Sequence, residues 1–496
     1  MNELNPLKQL AGQTAVYGLS SVIARVLNFL LVPFYTRIFT DTAEYGIVNE
    51  LYAYVAFIII ILTYGMETAF FRYSARYSNQ RLVYSTALTS ISITSLLFII
   101  AVVLFYQEIA HIIGYGNNSS FVLLLGLVLG ADALVAIPFA NLRYKEKSVK
   151  FALIKLLNVV VNILFNVLFL LVLPWMYKNG LRGWLVEVLY DPEFRVGYVF
   201  LSNFLASLVT LAIFTGEILK MRYGFSASLF RSMIYYGIPL LVAGLAGTVN
   251  EFLDRILLRY RLPDDVNALE QIGIYGANVK IAVLMMLFIQ MFRFAFEPFI
   301  FSQEKNRSGP KIYADVMYYF VAAGVLVFLV ITLYIDIFKH IIDSGYHEGV
   351  RVVPVILGGY LMLGIYYNLS VWYKLNEKTA YGALFAVCGA IITITVNWVF
   401  IPEYGYMASA WGHFLAYFGM VLMSFTIGRS VYPVPYRLKE IIIMILAGLA
   451  VYLISTVTRG ENALFKYTVN TLILVIFAGF IIYRERSFIK ELLGLR

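Results

Sequence analysis

The stretch AVYGLSSVIARVLNFLLVPFYTRI, Ala15 to Ile38, decides how the rest of this chain is read. Its length and apolar content suit a transmembrane helix, since roughly 20 residues at 1.5 Å rise cross about 30 Å of hydrocarbon. Arg25 stands near its middle, where snorkelling to water is difficult. A cation at that depth costs at least about 2.5 to 3.5 kcal/mol, so it is expected to face a bundle interior or an aqueous cavity. Thr14, Tyr17, Ser21, Arg25 and Asn28 follow one another at spacings of 3, 4, 4 and 3 and so share one helix face. The segment reads as an apolar rod carrying one polar stripe.

Composition extends that reading to all 496 residues. The chain is 61% hydrophobic and only 14% charged, against about 25% charged in soluble domains, which makes it an all-α polytopic membrane protein. Apolar runs separated by charges, Gly and Pro give about 14 spans, from 14–38 and 46–68 through to 440–457 and 467–483. Of the 38 Lys and Arg, 23 fall on one alternate set of connections and 10 on the other. The positive-inside rule then puts both termini in the cytoplasm. Met1–Gly12 lacks the pattern of a removable signal peptide, so the first helix is expected to direct insertion. The external connection Pro174–Arg195 carries Trp175, Trp184 and Tyr190 and reads as an interfacial segment with aromatic anchors. Cys388 stands alone, which excludes an internal disulfide. The net charge of +9 is spread by membrane side rather than gathered into a patch, so nucleic acid is not an expected partner.

A faint duplication accompanies the hydropathy pattern. Asn28 and Arg37 align with Asn250 and Arg259 at an offset of 222, and Gly46-Ile47 aligns with Gly273-Ile274 at 227. That suits two six-helix halves facing a central site, followed by a terminal pair. The expected divisions are residues 1–222, 223–432 and 433–496.

Embedded polar residues are the candidates for function. Asn250, Glu251, Asp254 and Arg255 lie late in the seventh span, where Glu251 and Arg255 can pair along the helix. Gln290, Arg293 and Glu297 share one face of the eighth. Glu67, near the inner boundary of the second span, is the carboxylate best suited to coupling, and a salt bridge there is the plainer alternative. Lys155, Asn158, Asn162 and Asn166 recur at 3, 4 and 4 along the fifth span. Three amides in register can meet a sugar, and they can equally bind helices together. Asp132 and His413 are isolated and read as satisfied core groups. No phosphate loop, His-Glu-x-x-His or Cys pair is present, and His340, Asp343, His347 and Glu348 lack regular metal spacing. Neither an enzyme nor a cofactor or metal is expected.

Fourteen spans with both ends inside, an Arg within the first helix, and an external turn leading into Glu44-Tyr45-Gly46 resemble the multidrug/oligosaccharidyl-lipid/polysaccharide exporter superfamily. Asp254-Arg255, followed by Ile272-Gly273-Ile274-Tyr275, is similar to its polysaccharide transporter branch, the O-antigen and capsule repeat-unit flippases. The resemblance implies two lobes around a central cavity, plus a terminal helix pair, working by alternating access in the bacterial cytoplasmic membrane. It implies export of undecaprenyl-pyrophosphate-linked oligosaccharide for lipopolysaccharide or capsule synthesis, by a monomer that can meet other polysaccharide-assembly membrane proteins. Arg25, Asn28, Asn158, Asn162, Asn250, Arg255 and Arg293 would then bind substrate, with Glu67, Asp254 and Glu297 coupling or gating. Relatives that flip lipid II carry a more arginine-rich first helix, drug and cation antiporters usually have twelve spans, and a membrane glycosyl polymerase would need a large external loop. These are the alternatives. The counterpart of Arg25 is Gly247, so the expected site is asymmetric.

Overall fold

The computed structural model describes residues 22–181, 183–220, 224–302, 309–457 and 463–484. Among these there is no strand, and twelve helices are long and apolar enough to cross a membrane, joined by the shorter apolar helix Leu464–Gly479. Thirteen of the fourteen expected spans are thus accounted for. The other, 14–38, begins outside the described residues, as do both chain ends and the assignment of their membrane side.

The helices form two compact units, residues 1–273 and 274–496. In the first, a helical stretch over 22–29 leads to α1 (Leu31–Ile38), with a break at Leu30. Pro33 explains the break, because it cannot donate to the carbonyl of Phe29. There follow α2 (Thr42–Thr63), α3 (Met66–Arg76), α4 (Gln80–Ile112), α5 (Ser119–Tyr144), α6 (Ser148–Val167), α7 (Gly197–Leu219) and α8 (Ala227–Arg261). The side chains of Asp41, Asn79 and Ser226 accept from Ala43, Leu82 and Leu229 amides and so start α2, α4 and α8. Between α6 and α7, the short helix Trp184–Leu189 leaves Trp184 exposed.

Helix α5 is the hub of this unit, packing against α4 and α7 and touching α2, α3 and α6. Its Ile137 joins Phe70, Val83, Leu88 and Met233 of neighbouring helices in one buried cluster. The second span is broken where Tyr64 and Gly65 take positive φ, separating α2 from α3. Helix α8 lies directly on that break. A Cβ on Gly237 would come 2.6 Å from the Tyr64 carbonyl oxygen, and one on Gly65 would come 2.8 Å from that of Gly237. Glycine is required at both because backbone meets backbone.

The second unit comprises α9 (Ala268–Ser302) beyond its first turn, α10 (Gly309–Leu333), α11 (Val353–Leu369), α12 (Ala380–Tyr404), α13 (Tyr406–Val431), α14 (Leu438–Val457) and α15 (Ala463–Arg484). Helix α13 packs on α11 and α12, while α10 carries α11, α14 and α15. The end of α10 is latched to α15: Asn470 donates to the Leu333 carbonyl at 2.8 Å, and Asp336 accepts from both Lys339 and the buried Lys466.

Candidate functional site: a polar cavity and a glycine crossing

Inside the first unit, α2, α3, α5, α6 and α7 line an open cavity of about 360 Å³ whose walls carry Glu67, Asp132, Arg143, Lys155, Asn158 and Thr210. Most of these groups are already committed. Arg143 donates to Glu67 at 2.6 Å and lies 5.0 Å over the Phe71 ring. Ser207 donates to Asp132 at 2.8 Å, and Asn158 donates to Thr210 at 2.9 Å. Lys155 differs from them. Its ammonium lies 4.3 Å from the centroid of Phe139 and forms no ion pair among the described residues, although Asp132 and Glu67 act on it through space. Lys155 and Asp132 are both exposed, as groups facing an open cavity are. The cavity thus offers one cation without a contacting counter-ion, two fixed carboxylates and an amide.

The amide stripe divides by position. Asn158 reaches the cavity wall. Asn166 donates to both the backbone and side-chain oxygens of Asn162, at 2.8 and 3.0 Å, and accepts from Tyr35 at 2.9 Å. Asn166 therefore joins α6 to α1 with Asn162 bracing it, an arrangement that satisfies polar groups inside a bilayer. Arg25 and Asn28 lie in the helical stretch before α1, where both side chains are exposed.

A second feature marks the opposite end of α2, where it crosses the first turn of α9. A Cβ on Gly46 would approach within 2.7 Å of the Leu269 carbonyl carbon, and one on Gly273 within 2.9 Å of the Gly46 amide nitrogen. Each glycine also faces the carbonyl oxygen four residues before the other, Leu269 in one case and Thr42 in the other. The contact is reciprocal, and it brings together the two positions that the offset of 227 aligns. One turn further along α2, the fully buried Glu50 accepts from Tyr115 at 2.6 Å and lies 3.8 Å from Arg259, while Tyr54 and Tyr260 share a hydrogen bond of 2.9 Å. Arg255 binds the Asp254 carboxylate at 2.9 Å and the Glu251 carbonyl at 2.6 Å, and Asn250, Asp254 and Arg255 are all buried. Arg255 thus meets the backbone of Glu251 and the carboxylate of Asp254.

In the second unit, Glu297 is held by Arg293 at 3.3 Å and Lys374 at 3.1 Å, and Arg293 lies 4.1 Å over the Tyr367 ring. Arg143, Ser207, Thr210 and Lys374 are the participants that sequence reading did not single out. Arg143 and Lys374 sit among boundary cations and look like ordinary positive-inside residues, so only the packing of helices reveals them.

Helical topology and buried polar clusters of this kind define a multi-pass membrane protein with the exporter-superfamily fold. A lipid II flippase, MurJ, in an inward closed conformation superposes with a TM-score of 0.71 at 15% identity, covering 95% of this chain and 99% of that one. An inward-facing multidrug resistance MATE family transporter of the MOP superfamily gives 0.61 at 11%, covering 84% and 95%. A MOP superfamily transporter from Pyrococcus furiosus gives 0.52 at 10%, covering 85% and 95%. No curated protein sequence matches significantly. The sequence family described as polysaccharide biosynthesis protein matches residues 10–303, and the chain belongs to that family, within the polysaccharide-synthesis branch of the exporter superfamily.

Proposed function

We propose that this protein is a flippase that moves an undecaprenyl-pyrophosphate-linked oligosaccharide from the cytoplasmic to the periplasmic leaflet for cell-surface polysaccharide synthesis. The observation carrying this reading is Lys155, an ammonium without an ion pair among the described residues, beside Asn158 in a polar cavity between membrane helices. A cation held in a partly desolvated cavity lowers the cost of bringing a phosphate into hydrocarbon through charge-assisted hydrogen bonds. Family membership supplies the polysaccharide context, and the fold shared with a lipid II flippase supports a lipid-linked cargo. Alternating access would use lobes 1–222 and 223–432, with 433–496 as the terminal pair. Arg25, Asn28, Asn162, Asn250, Arg255 and Arg293 are proposed to meet the substrate beside Lys155 and Asn158. Glu67, Asp254 and Glu297 are assigned to coupling or gating, in a bacterial inner membrane with both termini cytoplasmic.

Asp132 and Glu67 in the same cavity favour a second reading, a drug or cation antiporter, since fixed carboxylates suit a cationic ligand. Reconstitution into vesicles with labelled undecaprenyl-pyrophosphate oligosaccharide separates the two. Leaflet exchange of the labelled lipid, lost in Lys155→Gln, supports the flippase. Drug efflux without lipid movement supports the antiporter, and chain elongation would instead mark a polymerase.

A further inference from the structure

The second unit contains a groove of about 480 Å³ between α10, α11, α13 and α14. Phe328, Leu361, Trp411, Phe414 and Leu453 are among the apolar residues of its walls, and Gly358 and Gly448 open space by withholding side chains. Trp411 and Leu453 are 47% and 54% exposed, so the groove opens outward from the helices rather than being sealed among them.

Arg351 is the one charged residue lining it. Its guanidinium is held in place: Nε and Nη2 donate to the Tyr406 hydroxyl oxygen at 3.2 and 2.9 Å, and that hydroxyl donates to Glu348 at 3.2 Å. Glu348 itself lies 3.8 Å from Nη2, and both side chains are about three-fifths exposed. An ion pair so open to water is weak. Nη1 makes no hydrogen bond among the described residues, and its two N–H groups remain for an oxygen ligand.

We propose that this groove is a binding site for one anionic phospholipid, with the phosphate on Arg351 and an acyl chain lying along the groove. Apolar length with a cation at one end is the complement of a lipid with a charged head, and basic clefts between transmembrane helices recognise such heads. The charge on the site selects the head group. One arginine, weakly paired with Glu348, suits a head group of one net negative charge rather than one whose phosphate is already neutralised by its own cation, whereas a pyrophosphate carries more charge than this end of the groove can balance. The occupant is therefore a resident bilayer lipid, not the transported one. By touching α14 on one side and α11 and α13 on the other, it fills a gap that protein packing leaves open.

The test is native mass spectrometry of the full chain released from nanodiscs containing phosphatidylglycerol and phosphatidylcholine in equal amounts, repeated with undecaprenyl phosphate added. One phosphatidylglycerol is expected to remain bound in preference to phosphatidylcholine. Arg351→Gln should weaken that retention about ten- to a hundredfold, the loss expected for a hydrogen bond to a charged group. Gly358→Leu should abolish it by filling the groove, because a Cβ there meets Phe414 at an ordinary 3.4 Å and the rest of the side chain has only the groove to occupy. Equal retention of the two phospholipids, retention unaltered by either substitution, or preference for undecaprenyl phosphate would each overturn the proposal.

Discussion

Replacing Gly46 with alanine tests the glycine crossing most directly. The added carbon would lie 2.7 Å from the Leu269 carbonyl carbon and closer still to its oxygen, whereas ordinary contact begins near 3.4 Å. Helices α2 and α9 must therefore separate by at least about 0.7 Å at that point, and overpacking of this kind costs about 1 to 3 kcal/mol. If the crossing exists in only one of two alternating states, that cost shifts the equilibrium toward the other by roughly 5- to 150-fold. Alanine is the better helix former by about 1 kcal/mol, so Gly247→Ala is the control, because a Cβ on Gly247 meets nothing within 4 Å. The assay is labelling of a Tyr260→Cys reporter by a membrane-impermeant maleimide, after Cys388 is replaced by alanine. Gly46→Ala and Gly273→Ala are expected to raise the labelling rate and Gly247→Ala to leave it unaltered. Equal labelling in all three, with transport intact, would refute the idea that this crossing opens and closes.

Lys155→Arg should keep part of the lipid movement that Lys155→Gln loses, measured by leaflet exchange at matched expression, because a guanidinium still supplies charge and donors to a phosphate. Arg25→Ala should abolish transport while Arg25→Lys retains some, and full activity in the alanine variant would remove Arg25 from the site. Glu67→Gln should lower thermal stability by no more than about 1 kcal/mol, since the pair with Arg143 is more than a third exposed; recovery of the melting temperature in a Glu67→Arg, Arg143→Glu double variant checks the pairing. Burial raises the proton affinity of Asp336, but hydrogen bonds from Lys339 and Lys466 outweigh it and hold its carboxyl down to about 2. Its contribution to stability is therefore complete above the unfolded value of about 4 and is lost as pH falls from there toward 2. Asp336→Asn should lower the melting temperature at pH 7 by a few degrees and flatten that acid limb in detergent-solubilised protein. An unaltered limb would show that the latch between α10 and α15 is energetically silent.

Among the candidate residues, sequence reading selected those for which depth in the bilayer was itself the signal. Arg25, Lys155, Asp254 and Arg255 stand out because charge inside an apolar run is costly, whatever its partners. It was weaker on pairing. The spacing of Glu251 and Arg255 suggested an ion pair four residues apart, and it did not reveal that Asp254 brings a carboxylate, and Glu251 its carbonyl, to the same guanidinium. The three amides of α6 looked equivalent at 3.6-residue periodicity, but Asn166 accepts from Tyr35 and donates to Asn162, while Asn158 reaches the cavity.

What the sequence determined by itself is the all-helical membrane class, the positions of the apolar helices among the described residues and the alignment of Gly46 with Gly273, because hydrophobic length and repeat spacing are properties of one dimension. Only the tertiary structure decided that these two glycines meet backbone to backbone, that Arg143 occupies Glu67, and that Lys155 lacks an ion pair among the described residues. Those outcomes depend on which helix faces which, and that is set by packing between segments far apart in the chain.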